Sequence, residues 1–165
     1  MNKTSIIFIF TIFSSLIARE CLIGEDNALY RGTRPVKETY ATSPSGHFYI
    51  HYDVNGSAAP DHLDINNNGV PDYIDEVGII ADSARYVLVD LMGYTAEPDD
   101  GDGVYDIYTM NYSPGVYGYS YPESGGASYM TISNDYSEYN SPTSPLQLMR
   151  ITVGHEFFHA IHFGY

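Results

Sequence analysis

Two histidines and a glutamate near the end of the chain have the spacing of a zinc site. His155, Glu156 and His159 lie in the segment TVGHEFFHA, residues 152–160, and form an HExxH motif. On a helix the two histidines are one turn apart on one face, about 5–6 Å apart at Cβ, so both imidazoles can bind one Zn²⁺. Glu156 lies about 100° further round the helix, where its carboxylate can act as general base toward a water on the metal.

The residues around the motif predict the helix that would carry it. Residues 146–163 contain no proline. Ser144 is the predicted N-cap, Pro145 takes the first helical position, and Gln147 completes a capping box. A predicted apolar face lies opposite the histidines and consists of Val153, Phe157, Ala160, Ile161 and Gly164. The alternative is an ordinary amphipathic helix that carries the motif by chance.

A second pattern predicts a calcium loop at residues 64–75, DINNNGVPDYID. Ca²⁺ takes six to eight oxygen ligands, and a loop that offers one at every second residue can wrap the ion around a glycine turn. Gly69 supplies that turn. The predicted ligands are Asp64, Asn66, Asn68, Asp72, Asp75 and the carbonyl of Val70. The loop resembles those of thrombospondin-type repeats more than an EF-hand; the alternative is an Asx-rich turn that caps the next helix.

A third acidic segment, DDGDGVYD at residues 99–106, is a weaker pattern of the same kind. Its predicted calcium ligands are Asp100, Asp102 and Asp106. The oxygen spacing is less complete than in the first loop. A solvated turn before a strand explains the segment equally well.

The overall composition favours cations over nucleic acid as partners. Seven basic and 21 acidic residues give a formal charge of −14. Nucleic-acid affinity depends on Lys and Arg that neutralise phosphates, so that partner class is excluded. Part of the acidity also serves solubility. The chain of 165 residues is 44% hydrophobic and contains 17 Tyr, which is enough for one domain with a core.

The first 24 residues have the features of a secretory signal peptide. Lys3 precedes an apolar run at residues 6–17 that is too short for a membrane span of about 20 residues. We therefore expect a secreted protein with no stable membrane insertion after leader removal; the alternative is an uncleaved N-terminal anchor. Cys21 is the one cysteine, so no internal disulfide is expected.

The remaining periodicities predict an α+β domain at residues 46–165, preceded by an extended segment at residues 25–45. Strands are expected at residues 46–52, 106–111 and 128–132, with a loop at 113–126 and a packing helix at 74–92 ended by Gly93. His47 and His51 are predicted to face solvent. If strand 128–132 lies at the edge beside the helix of the motif, it can pair with an extended peptide.

These motifs resemble known proteins. HEFFH is similar to the motif of the zincin metallopeptidases, and three segments resemble a family of secreted bacterial metalloproteases: GVPDYID (69–75), DGDGVYDIY (100–108) and TVGHEFFHAIHFGY (152–165). The resemblance implies a zincin-like N-terminal subdomain, with a mixed or antiparallel sheet packed on a backing helix and the HExxH helix. It also implies a zinc endopeptidase acting on proteins or peptides, with His155 and His159 as zinc ligands and Glu156 as the base.

The chain departs from these families at the third zinc ligand. A catalytic zinc has three protein ligands. Gluzincins take a glutamate from further downstream, whereas this sequence ends at Tyr165, and the metzincin pattern would require a glycine where His162 stands and a histidine where Tyr165 stands. We therefore expect an N-terminal fragment, with His162 as the alternative third ligand. The competing function is a secreted calcium-binding surface or adhesion module with an incomplete, non-catalytic zinc site.

Overall fold

A computed structural model describes residues 33–137, 139 and 141–165. It is a mixed α+β structure in which one five-stranded sheet carries both helices on the same face. The expected signal peptide at residues 1–24 and the first part of the expected extended segment, residues 25–32, lie outside the described residues. The α+β class predicted from the sequence is confirmed.

The sheet combines parallel and antiparallel pairs. Its strands are β1 (Thr39–Thr42), β2 (Phe48–Tyr52), β3 (Tyr105–Met110), β4 (Gly118–Pro122) and β5 (Ser128–Ser133), in the order β1-β2-β3-β5-β4. The pairs β2–β3 and β3–β5 are parallel, whereas β1–β2 and β4–β5 are antiparallel. The three predicted strands are therefore confirmed to within about two residues at each end.

Two strands were missed, and the predicted edge position of one strand was wrong. β1 forms within the segment expected to be merely extended, and β4 forms within the stretch expected to be a loop. β4 begins with Gly118 and ends with Pro122, residues that usually mark turns but are tolerated in an edge strand. Because β4 pairs along the outer side of β5, β5 lies inside the sheet and β4 is the edge strand.

The two predicted helices are present. α1 spans Asp72–Arg85 and continues as a π-helix over Tyr86–Leu91, after which Gly93 has a positive φ of 76°. α2 spans Pro145–His162, and the Ser144 side chain accepts a hydrogen bond from the Gln147 N–H at 3.4 Å. The predicted N-cap is therefore confirmed. A short 3₁₀ turn covers Ser124–Gly126 between β4 and β5.

The core lies between the helices and one face of the sheet. Phe48 and Ile107 from the sheet, Val77 from α1 and Phe157 from α2 are each 0% exposed. The predicted apolar face of α2 is confirmed except at its last position, since Gly164 is exposed beyond the end of the helix. This packing leaves the opposite face of α2, which carries His155 and His159, available for a site.

The other face of the sheet carries a separate cluster of tyrosines. Its buried members are Tyr108, Tyr119, Tyr121 and Tyr129. The alternation of β4 places Tyr119 and Tyr121 on this side and Ser120 on the side of α2. In the described part of the chain, no helix is both long enough and apolar enough to cross a membrane.

Candidate metal centre

α2 brings the two histidines of the motif to a common point. The Nε2 atoms of His155 and His159 are 3.2 Å apart, and their ring centroids are 4.8 Å apart. Two imidazole ligands of one tetrahedral zinc, each bonded at 2.0–2.1 Å, have nitrogens about 3.3 Å apart. The pair therefore has the spacing that a shared zinc ion requires. His155 is exposed, so solvent can reach this point.

The protonation of His159 also suits a metal ligand. Burial lowers the pKa of His159, and the neighbouring charges of His155 and His162 lower it further. A lowered pKa keeps the imidazole neutral at physiological pH. Neutral imidazole is the form that binds metal ions.

Glu156 lies against the sheet, at the contact between α2 and β4. It is 6% exposed, and the Ser120 hydroxyl lies 2.9 Å from its Oε2 and 2.8 Å from its backbone oxygen. Burial raises the pKa of Glu156 to about 7, and the hydrogen bond from Ser120 opposes that rise. A carboxyl group with a pKa near neutrality can both accept and return a proton, as a general base must.

Ser120 is a residue of this site that sequence reasoning missed. It lies on β4, a strand that was not predicted, and it is 36 residues from Glu156 in sequence. Its position between Tyr119 and Tyr121 is the one local signal, because alternation places a small polar residue opposite two aromatic ones. Only the docking of β4 on α2 shows its partner.

The described residues do not assemble a third zinc ligand. Within the described ranges, the one group of three His, Cys, Asp or Glu residues with donor atoms within 4.8 Å of one another is Asp99, Asp100 and Asp102. His162 is exposed at the end of α2, with its ring 5.3 Å from that of Phe158. The pair His155 and His159 therefore fits zinc, and a third donor has to be added to complete a catalytic site.

The predicted calcium loop 64–75 folds around the side chain of Asp75. The amide groups of Asn66 and Asn68 both donate to Asp75 Oδ2 at 2.9 Å. Rotation of each amide by 180° would direct an oxygen toward the same point. The structure thus brings three of the six predicted ligands together. Gly69 has a φ of 85°, as the sharp turn requires.

The other predicted carboxylates of this loop hold its backbone. Asp64 accepts hydrogen bonds from the N–H groups of Asn68 and Gly69 at 3.2 and 2.9 Å. Asp72 accepts from the N–H of Ile65 at 3.1 Å. The Val70 N–H donates to the side chain of Asn68 at 2.7 Å. These hydrogen bonds fit a calcium loop and an Asx-rich turn before α1 equally well.

The acidic group in the second predicted calcium loop contains different residues from those predicted. Asp99, not Asp106, lies with Asp100 and Asp102, and all three residues are exposed. Hydrogen bonds from the N–H groups of Gly101 and Gly103 lower the pKa of Asp99. Asp106 points to the face of the sheet opposite the helices, because it alternates with the core residues of β3.

Asp106 is instead engaged by two side chains that lie far away in sequence. Arg34 forms ion pairs with Asp106, Asp100 and Glu123, the last at 2.6 Å. His51 Nε2 lies 2.6 Å from Asp106 Oδ1, and the His51 ring stacks on Tyr108 with centroids 4.5 Å apart. His47 is exposed and His51 lies on the predicted face of β2, but His51 pairs with Asp106 and is not simply solvated. Arg34 gave no signal in the sequence.

No protein-family model, curated protein or solved structure matches this chain.

Proposed function

We propose that this protein is a secreted zinc-dependent endopeptidase. The observation that carries the proposal is the 3.2 Å separation of His155 Nε2 and His159 Nε2, with the buried carboxyl group of Glu156 on the next residue of the same helix. In this proposal the two histidines hold Zn²⁺. When bound, zinc lowers the pKa of a water molecule toward 7 and polarises the carbonyl of the scissile peptide bond.

Glu156 is the proposed general base. Its pKa of about 7 allows the carboxylate to take a proton from the attacking water and to pass it to the leaving amine. Ser120 donates a hydrogen bond to Oε2 and so orients the carboxyl group. A base that is held by the sheet loses less side-chain freedom when it acts.

The edge strand β4 is the proposed surface for a peptide substrate. Among the described strands it pairs with β5 alone and lies at the edge of the sheet, where an extended chain can be added as a further strand. It also contacts α2 through Ser120 and Glu156. A peptide added to this edge would therefore run beside the helix that carries the motif. In this proposal β4 takes the role that the sequence analysis gave to strand 128–132.

Calcium is proposed to stabilise the fold without taking part in the reaction. The convergence of Asn66, Asn68 and Asp75 supports a calcium ion in the loop 64–75. The exposed group Asp99, Asp100 and Asp102 is the candidate for a second ion. A third zinc ligand, beyond the two histidines, is a further requirement of the proposal.

The test is a comparison of zinc content and peptidase activity. Glu156→Gln should retain zinc, measured by native mass spectrometry, but lose turnover of a peptide mixture. His159→Ala should lose the zinc. Glu38→Gln makes the same chemical change on an exposed residue before β1, at the opposite edge of the sheet, and should alter neither quantity.

The results separate the two candidate functions. Turnover that survives Glu156→Gln would refute the role of Glu156. A wild-type protein that carries calcium but no zinc, and cleaves nothing, would instead support the calcium-binding surface module. The preorganised loop 64–75 is the observation that favours that second function.

A further inference from the structure

A large cavity opens where β3 and β5 end and where α1 and α2 begin. Its volume is about 970 Å³, within the range of small-molecule sites. Its wall includes residues 111–112 after β3, residues 133–137 at the end of β5, and the first turns of both helices. In open sheets with parallel strands, ligands bind in the crevice outside the carboxyl ends of the strands. β3 and β5 are such a parallel pair.

Hydrogen bonds hold the wall of this cavity together. Asn134, which is 7% exposed, donates from Nδ2 to the backbone oxygens of Ser57 at 3.1 Å and Ala59 at 2.7 Å. The Tyr73 hydroxyl donates to the backbone oxygen of Ser133. These bonds connect the segment 57–60 and α1 to the end of β5, so contacts within the protein fix this part of the wall.

Tyrosine rings form the aromatic part of the lining. The four are Tyr73, Tyr112, Tyr136 and Tyr139. Each hydroxyl group is hydrogen-bonded to the protein: three donate to backbone oxygens, and that of Tyr112 shares a hydrogen bond with a threonine hydroxyl. Tyr136 and Tyr139 are buried, so the half-buried Tyr73 and Tyr112 present the larger ring surface to a ligand. The negative face of such a ring attracts cations.

The charged part of the lining is entirely acidic. Four carboxylates contribute to it, those of Asp61, Asp72, Glu76 and Asp135, and no Lys, Arg or His occurs among the lining residues that the structure describes. Arg150, outside the cavity, pairs with Glu76 at 3.3 Å. The apolar remainder of the lining includes Leu63, Leu146 and Met149.

We propose that this cavity binds an organic cation, with an ammonium or guanidinium group placed among the tyrosine rings and paired with the carboxylates. A metal ion would need oxygen ligands on all sides, whereas this lining also offers apolar surface to a hydrocarbon chain. The cation belongs either to a free amine or to a lysine or arginine side chain of a peptide. The site is separate from the histidines, because His155 lies about 9 Å further along the axis of α2 than Met149.

The first experiment compares two probes of equal chain length, one with ammonium ends and one with neutral hydroxyl ends. The protein is titrated with 1,5-diaminopentane and with 1,5-pentanediol at constant calcium and ionic strength, followed by ¹H–¹⁵N NMR. The diamine is expected to bind and to shift the resonances of residues 133–137, while the diol does not. Equal shifts from the diol, no binding of the diamine at millimolar concentration, or shifts confined to residues 99–102 would each overturn the proposal.

Paired variants separate a specific site from general attraction to an acidic protein. Asp61→Asn combined with Asp135→Asn removes two exposed carboxylates of the lining and should weaken diamine binding about tenfold, because two ion pairs at exposed positions are lost. Glu38→Gln combined with Asp90→Asn removes the same charge from exposed positions elsewhere and should change binding less than twofold. Equal losses in the two double variants would refute the site. Thermal melts establish that each variant is folded.

A peptide arm identifies the source of the cation. The capped tripeptide acetyl-Gly-Lys-Gly-amide is titrated into the Glu156→Gln protein, which prevents cleavage if the proposed peptidase activity is real. Binding at least tenfold tighter than that of the diamine assigns the cavity to a peptide side chain. Equal or weaker binding assigns it to a free amine. Neither binding measurement depends on turnover, so the cavity and the peptidase proposal can fail independently.

Discussion

Replacement of Glu156 by glutamine should remove a pH-dependent loss of folding stability from the zinc-free protein. Burial raises the pKa of Glu156 from 4.5 to about 7. The folded state therefore holds this proton more tightly than the unfolded state does. Below pH 4.5 the group is protonated in both states and imposes no cost. As pH rises from 4.5 through 7, the folded protein must either keep the proton or bury a charge, so stability falls.

The size of this effect follows from the two pKa values. One pKa unit corresponds to 1.36 kcal/mol, so the difference between 4.5 and about 7 amounts to roughly 3 kcal/mol above pH 7. Solvent screening is slight because Glu156 is 6% exposed. Glutamine has nearly the same shape and can still accept the hydrogen bond from Ser120. The free energy of unfolding of the variant should therefore equal that of the wild type near pH 4 and exceed it by about 3 kcal/mol near pH 8.

Urea unfolding at several pH values measures this difference. Zinc is removed from both proteins and calcium is held constant, so the other titrating groups cancel between them. Glu38→Gln, the same chemical change on an exposed residue, serves as the control for a general effect of removing one carboxylate. If the free-energy difference between Glu156→Gln and the wild type is flat from pH 4 to pH 8, the burial argument is wrong.

Three further predictions concern packing and metals. Gly118→Ala should destabilise the protein by about 1–3 kcal/mol in urea unfolding, because the added Cβ would lie 2.8 Å from the backbone oxygen of Thr131 on β5 and 2.9 Å from Thr152 Cγ2 on α2. Gly154→Ala is its control: no atom lies within 4 Å of that Cβ, and stability should rise by about 0.5–1 kcal/mol; a reversed order would contradict the docking of β4. Asp75→Ala should reduce the rise in Tm on calcium addition, and an undiminished rise would count against the loop 64–75 as a calcium site. His159→Ala should weaken zinc binding at least tenfold by calorimetry, whereas unchanged affinity would rule out the motif.

The helix of the motif was predictable because its signals are local. Ser144, Pro145 and Gln147 lie within four residues of one another, and the apolar repeat that follows lies on one face of a single helix. Capping and periodicity act through contacts between near neighbours, so they can be inferred without the rest of the fold. The spacing of His155 and His159 has the same origin, since one turn of any α-helix brings these positions together.

The partners across the sheet were not predictable for the opposite reason. Arg34 and Asp106 are 72 residues apart, and Ser120 and Glu156 are 36 apart. Their contacts depend on the strand order and on which strand packs against α2. β4 itself was missed because its glycine and proline resemble those of a loop, and its pairing with β5 supplies the hydrogen bonds that make it a strand.

The zinc, calcium, secretion and peptidase predictions rest on local sequence motifs, whereas the fold also depends on contacts between distant parts of the chain. The sequence by itself determined the two main helices, the central strands and the separation of the two histidines, because each depends on local periodicity or a single helical turn. The tertiary structure alone decided that β4 is the edge strand, that Glu156 is buried against Ser120, and that Asp106 binds Arg34 and His51 instead of joining the acidic group of Asp99. The physical reason is that burial and ion pairing depend on elements far apart in sequence, whose relative positions no local pattern contains.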